Sequence, residues 1–525
     1  MRKLVALLAL CSLSLAGSAL DGDHQHEGKA PEQLGKVDFP TTCSAAAQKD
    51  FLRGLALLHS FWYPEAEKAF RAAAASDGKC GIAWWGAAAS LYHPLWEHPD
   101  EATLKQGADA VAAAQKAGAG SERERDYIAA MAAFYNPSVH EYRERAQAWS
   151  QAMQQVHERY PQDDEATIFY ALSLLATEKP GDREHTNHRR AGALLVPMLE
   201  RRADHPGVAH YIIHSYDSPE LAPLGVPAAR RYAQIAPSAS HALHMPSHIF
   251  ERLGMWQDSI KSNIAASDTS REHRKELGLS SGVNDEIHAL DFLSYAYEQT
   301  GQDAKALAAV ERAEKLAADA GQSQGYASEV RATYDVERHD WKAAAQLTPP
   351  PANDPRHSGT WWARALGAAR SGDAATARKL LEGARREQKS ESSGGMRGFF
   401  EVSALEIEAW AARAENKNDD AVQMLKSAAE KEQSLGEPGR LPAQALLGDL
   451  LLELNRPAEA QQAYEAALAK VPNRFNALYG AARAAELAGQ REQARKYYGQ
   501  FAELCRDADS DRPEVAQART YLAQR

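Results

Sequence analysis

The sequence predicts an all-α fold: a right-handed solenoid of about twelve helical hairpins. Three observations predict it. From Asp50 onward, apolar residues and alanines recur at three- and four-residue spacing, with Gly, Asn or Pro between the segments. Runs of β-branched residues with a period of two, the mark of a half-buried strand, do not occur. The chain also resembles itself at a period near 34 residues, which is one helix–turn–helix unit. A length of 525 residues holds a dozen such units and leaves some chain over for longer loops.

The elements follow in order. Arg2 and Lys3 precede the apolar run from Leu4 to Leu15, and Ala16-Gly17-Ser18-Ala19 offers small residues for cleavage. Residues 1–20 therefore read as a secretory signal peptide, too short in its apolar part to span a membrane. Residues 21–42 are polar and read as a flexible leader. Residues 43–348 form an N-terminal and central array, 349–357 a linker, and 358–525 a C-terminal array. The expected product is soluble, in the periplasm or outside the cell. The formal charge is -11, which argues against a nucleic-acid backbone as partner. Cys43 and Cys80 flank one hairpin and can meet as a disulfide in an oxidising compartment. Cys505 then remains as a buried apolar thiol. No CxxC occurs, so neither a thioredoxin-type centre nor a zinc ribbon is indicated.

The repeat is clearest near the C-terminus. Counting from Leu441, Gly448 falls at 8, Ala460 at 20, Tyr464 at 24, Ala467 at 27 and Pro472 at 32. Small residues at 8, 20 and 27 let two helices approach, and the aromatic at 24 fills the gap between them. The unit from Phe475 repeats this with Ala482, Ala494 and Tyr498, and the unit from Ala47 with Gly54, Ala66, Phe70 and Ala73. Further units begin near Gly81, Arg123, Asp164, Pro206, Ser240, Ile287, Gln324, Ser358 and Val402. The one GxSxG match, Gly321 to Gly325, follows a helix rather than a strand, so it reads as a turn between hairpins and not a nucleophile elbow.

Histidine is the unusual residue. Of 19 in the chain, six lie between His205 and His248, where a uniform spread would place fewer than two. The repeat register sorts them. Positions 2, 5 and 9 of a first helix lie on one face, because three and four residues are each close to a full turn. The unit from Pro206 has His210 at 5 and His214 at 9. The unit from Ser240 has His241, His244 and His248 at 2, 5 and 9. The unit from Ile287 has His288 at 2 and Asp291 at 5. Seven side chains on three adjacent helices thus address one groove. Imidazoles with a carboxylate suit Zn, Cu, Ni or Fe, and seven candidates exceed one mononuclear shell, so two ions are conceivable. Asp217, and Asp285 or Glu286, are expected to support the ligands from behind. Histidines in a groove also bind a peptide carboxylate without metal, and single buried ones often serve packing alone.

The other histidines read differently. His205, beside Asp204 and before Pro206, is a helix-start residue. His59 and His93 both fall at position 13 of their units, in aromatic stretches, and read as packing. His185 and His188 lie in a polar loop, and His24 and His26 in the leader.

The segments Gly54-Leu55-Ala56-Leu57-Leu58-His59-Ser60-Phe61-Trp62-Tyr63, His205 to His214 and His241 to Phe250 resemble large secreted bacterial tetratricopeptide repeat proteins, as does Asn473 to Gly480. The resemblance covers nearly the whole mature chain. It implies the fold and an exported location, and it brings no established reaction. Ligands of such repeats usually contact positions 2, 5 and 9. The expected function is therefore a scaffold that holds a peptide or protein partner in its groove, with a transition metal in the histidine segment. The competing readings are a metal-dependent hydrolase or oxidoreductase, with His288 as a spare general base, and a metal-free interaction protein.

Overall fold

The computed structural model describes residues 32–95, 98–179, 181–278, 283–350, 357–388, 394–436, 439–509 and 512–524. The signal-peptide reading, His24 and His26, and most of the expected linker fall outside these residues. The described chain folds into 27 helices and no strand.

The helices pair in sequence order. The first four hairpins are α1 (Ala45–His59) with α2 (Tyr63–Ser76), α3 (Gly81–Ala89) with α4 (Glu101–Ala117), α5 (Glu122–Phe134) with α6 (Tyr142–Arg159), and α7 (Asp164–Ala176) with α8 (Thr186–Leu195) and the short α9 (Met198–Arg201). The middle four are α10 (Pro206–Tyr216) with α11 (Ala222–Ile235), then α12 (Ser240–His244) and α13 (Pro246–Arg252) with α14 (Trp256–Leu277), α15 (Asn284–Gln299) with α16 (Asp303–Ala320), and α17 (Gln324–Glu337) with α18 (Trp341–Gln346). The last four are α19 (His357–Arg370) with α20 (Ala374–Gln388), α21 (Gly394–Ala414) with α22 (Asn418–Leu435), α23 (Ala443–Glu453) with α24 (Pro457–Lys470), and α25 (Phe475–Leu487) with α26 (Arg491–Leu504); α27 (Pro513–Ala523) closes the stack. The twelve hairpins of the sequence register are the twelve hairpins of the fold.

The packing follows the spacing. A Cβ on Gly448 or Gly480 would lie 2.7 or 2.3 Å from the Tyr464 ring, so only glycine admits that tyrosine between α23 and α25. Phe70 occupies the same place against Gly54 and Gly86. Helix ends are set locally: Ser44, Asp100, Ser121 and Asp163 accept backbone N–H groups at N-termini. Gly321 ends α16 in the left-handed region, and α17 starts at Gln324, so the GxSxG match is a turn between hairpins.

Two features depart from an open solenoid. The leader expected to run to residue 42 is held down from Gln33 onward: Phe39 is fully buried among Phe51, Trp85 and Tyr127, and Lys36 N donates to Asp204 O at 2.9 Å. Cys43 and Cys80 form a disulfide just before α1 and α3, and Cys505 is a buried free thiol. The C-terminal hairpins also return to the middle of the chain. Trp256 Nε1 donates to Asn473 O at 2.7 Å, Phe475 N to Gln299 Oε1 at 2.9 Å, and Arg512 Nε to Asp303 Oδ2 at 2.8 Å. The end of α1 and Arg440, in the segment before α23, contact the face where the central first helices line up, through His210 and Asp291.

Candidate metal centre

Six of the seven expected side chains gather into two groups of three. His210 and His214 of α10 meet His241 of α12; His244 of α12 and His248 of α13 meet His288 of α15. The split falls within α12, between His241 and His244; Pro246, which lacks an N–H, follows both and begins α13, so the segment from Ser240 to Arg252 is two short helices rather than one. His241 lies on the side facing α10, while His244 and His248 face α15.

The distances suit a metal shell. In the first triad His210 Nε2 lies 3.0 Å from His241 Nε2 and 3.1 Å from His214 Nε2. In the second, His244 Nε2 and His248 Nε2 are 3.0 Å apart, and the His288 ring centroid is 4.3 Å from that of His244. Two metal–nitrogen bonds of about 2.0–2.1 Å place their nitrogens about 2.9 Å apart at a right angle and about 3.3 Å apart at the tetrahedral angle. The observed separations fall between these.

The opposite ring nitrogens are engaged by oxygens outside the triads. His210 Nδ1 donates to the carbonyl of His59 at 2.6 Å. His244 Nδ1 donates to Asn263 Oδ1 at 2.7 Å, and Ser259 fixes that amide by accepting from Asn263 Nδ2 at 2.9 Å. His248 Nδ1 donates to Asp217 Oδ2 at 2.9 Å, whose other oxygen accepts from Arg252 Nε at 3.0 Å. His288 Nδ1 bonds the Tyr326 hydroxyl. A neutral imidazole whose Nδ1 carries the proton presents a bare lone pair at Nε2, the form a metal needs. Burial, reinforced by neighbouring imidazoles, pushes His214 and His244 down to about 3 and holds His210 and His241 well below the ordinary range. Those four rings are neutral at neutral pH, and lone pairs converging without a cation would repel. Each triad also has a phenylalanine against it: Phe61 lies 4.4 Å from His210, and Phe292 lies 4.7, 4.9 and 5.0 Å from His244, His248 and His288.

Three expectations are corrected. Asp291 does not join the histidines: both its oxygens accept from Arg440, at 2.6 and 2.9 Å, because the returning C-terminal chain brings a guanidinium to it. Glu286 is not behind a ligand but is fully buried between Arg274 and Arg312, with Arg312 Nε at 2.9 Å. His288 is a triad member rather than a spare base. Asp217 stands where a supporting acceptor was expected.

A third group went unread in the sequence. Glu165 sits between two imidazoles, with Oε2 2.8 Å from His59 Nε2 and Oε1 2.9 Å from His205 Nε2; all three are buried. Burial alone would raise this carboxyl, but the two imidazoles outweigh it and hold Glu165 well below the carboxylate range. His59 Nδ1 meets the Tyr211 hydroxyl at 3.0 Å. Each imidazole faces its own carboxylate oxygen at hydrogen-bond distance, so the group reads as a buried hydrogen-bonded tie joining the end of α1, α7 and the start of α10. His205 stands at the start of α10 as expected, with its side chain on Glu165 rather than on the helix backbone, and His59 does more than pack: its carbonyl orients His210. Of the weaker histidines, His93 stacks on Tyr63 at 4.0 Å, and His188 Nδ1 donates to His214 O at 3.2 Å.

No protein-family model and no curated protein matches this chain. Solved structures do. A tetratricopeptide repeat protein from Parabacteroides merdae is 12% identical over 55% of this chain and 99% of its own, with a TM-score of 0.32. Yeast Tom70 is 12% identical over 91% of this chain and 94% of its own, with a TM-score of 0.34. The human IFIT1 dimer with m7Gppp-AAAA is 10% identical over 82% and 90%, with a TM-score of 0.36. This chain is a helical-repeat solenoid of the tetratricopeptide type on its own hairpins and packing. Among the described residues no helix is long and apolar enough to cross a membrane.

Proposed function

We propose that this protein is an exported solenoid scaffold built around a two-ion metal centre, with one transition-metal ion in each histidine triad. One observation carries the reading: Nε2 atoms of five of the histidines sit 3.0–3.1 Å from a neighbour's, while Nδ1 of His210, His244, His248 and His288 is engaged by an oxygen outside the triads. An all-imidazole set favours Zn, Cu or Fe over Mg or Ca. Export is supported by the Cys43–Cys80 disulfide. A peptide or protein partner in the groove belongs to the reading as well, since His214, His241, His248 and His288 remain partly exposed there.

Elemental analysis of protein reconstituted with Zn²⁺ or Cu²⁺ and then dialysed tests the centre. Two equivalents per chain are expected, one in His210→Ala and one in His248→Ala. No stoichiometric ion of either metal in the folded wild-type protein would sink the reading. Three protein nitrogens per ion leave a coordination position for water or substrate, as catalytic zinc sites do. This favours the metalloenzyme as second reading. Ester hydrolysis that tracks the metal content of either triad would establish it.

A further inference from the structure

The C-terminal hairpins hold a second feature that the metal centre does not use. A cavity of about 180 Å³ opens between α17, α19, α23, α25 and α27. Its lining is polar and unbalanced: three carboxylates, Asp449, Glu453 and Glu514, face one guanidinium, Arg370. Arg370 is paired through Nη1, while its Nε is buried without an acceptor. Its Nη1 donates to Glu453 Oε1 at 2.8 Å, and its guanidinium is stacked against Trp341 and Trp410, 4.7 and 3.6 Å from their centroids. Glu453 has a further cation in Arg413, at 3.4 Å. Asp449 and Glu514 are therefore the uncompensated charges.

Three atoms around this space are buried and have no hydrogen-bond partner among the described residues: Asp449 Oδ2 and Glu514 Oε2, which accept, and His339 Nε2, which accepts when Nδ1 carries the ring proton. His339 Nε2 is 3.8 Å from Asp449 Oδ2, too far to satisfy either atom. Buried acceptors left without donors are costly, about 1–3 kcal/mol each, so three around one cavity mark a place where a donor belongs. The imidazole is held low by burial, against the pull of Asp449, and so is neutral and able to accept. Tyr464 takes the other oxygen of Asp449 at 2.6 Å, which fixes the carboxylate while leaving Oδ2 free.

We propose that this cavity is a ligand site for a primary ammonium group on a short alkyl chain. An ammonium has three donors and no acceptor, matching the three open acceptors, and its charge answers the excess of carboxylate. A guanidinium is planar and suits paired oxygens of one carboxylate rather than three separate groups. A metal ion is disfavoured because these residues do not bring three ligand atoms within 4.8 Å of one another. Tyr464 and Tyr479 flank the space with aromatic surface for the alkyl stem. Two sources share the chemistry: a lysine side chain of a partner protein, and a free aliphatic amine.

Titration calorimetry on the full-length protein at low salt tests this, using cadaverine for the free amine and Nα-acetyl-lysine N-methylamide for the protein lysine, with valeramide as the neutral control. At least one ammonium probe is expected to bind at one equivalent and valeramide not at all. Asp449→Asn and Glu514→Gln should each weaken binding at least tenfold while leaving helicity and thermal midpoint close to wild type. Which probe binds decides the source. Absence of binding by both amines, or binding unchanged in both variants, overturns the proposal. Chelator-treated protein should bind the amine as well as untreated protein does, so failure here and failure of the metal reading are separate results.

Discussion

At the scale of single residues, each triad rests on its outer hydrogen bonds. Asp217 holds His248 by Nδ1. Asp217→Asn should therefore lower metal affinity at the second triad about 10–100-fold, the usual effect of losing such a support, and leave the first triad unchanged. Competition with a chelator of known affinity reads this directly. Asp291→Asn should behave oppositely: metal content unchanged, but stability lower by about 1–3 kcal/mol in urea melts, since Arg440 loses its partner. Loss of an ion in that variant would restore Asp291 as a ligand. The histidines also set a pH dependence. His214 and His244 have folded values of about 3, against about 6.5 in an unfolded chain. Between those limits the unfolded chain binds more protons, so stability is full above pH 6.5 and is lost as pH falls toward 3. Thermal midpoints of chelator-treated protein should drop steeply between pH 6.5 and 4; a flat profile would contradict the buried neutral rings. The six triad histidines were legible in the sequence because one repeat register aims them to one side. Asp291 shared that register, but its partner lies 149 residues away, which no local pattern reveals. Glu165 sits at position 2 of the unit from Asp164, on the same lining face as the histidines. Applied beyond histidine, the register would have found it.

At the scale of helices and turns, the repeat spacing settled hairpin number and order. It could not foresee the break at Pro246, because a proline at position 7 reads as tolerable until its missing N–H falls inside the helix. Gly480 tests the packing rule. Alanine there would gain about 1 kcal/mol in helix propensity. Its methyl would also meet the Tyr464 ring at 2.3 Å, and overpacking of that kind costs about 1–3 kcal/mol. Gly480→Ala should thus destabilise, visible as a lower urea midpoint, whereas the half-buried Gly383, with nothing within 4 Å, should tolerate alanine or gain from it. The disulfide closes a separation of 37 residues, for which loop-closure entropy gives about 3–4 kcal/mol. Cys43→Ser with Cys80→Ser should lower stability by up to that amount without altering metal content.

At the scale of the whole molecule, the return of the C-terminal hairpins is what repeat spacing alone does not encode, since it depends on the accumulated turn of many units and on contacts such as Trp256 with Asn473. The stack is consequently not a set of interchangeable modules. Truncation after residue 436 would remove Arg440 from Asp291, Phe475 from Gln299 and Arg512 from Asp303. The shortened chain should melt at lower temperature than loss of the end repeats alone implies. The feature with the widest reach is α12, five residues long. It gives His241 to one triad and His244 to the other. An ion that draws His241 inward moves the same rigid turn that bears His244. Ions held at both triads would in this way be thermodynamically linked. Whatever factor the first ion imposes on the affinity of the second, the second imposes on the first, so filling should follow a cooperative isotherm rather than two independent ones.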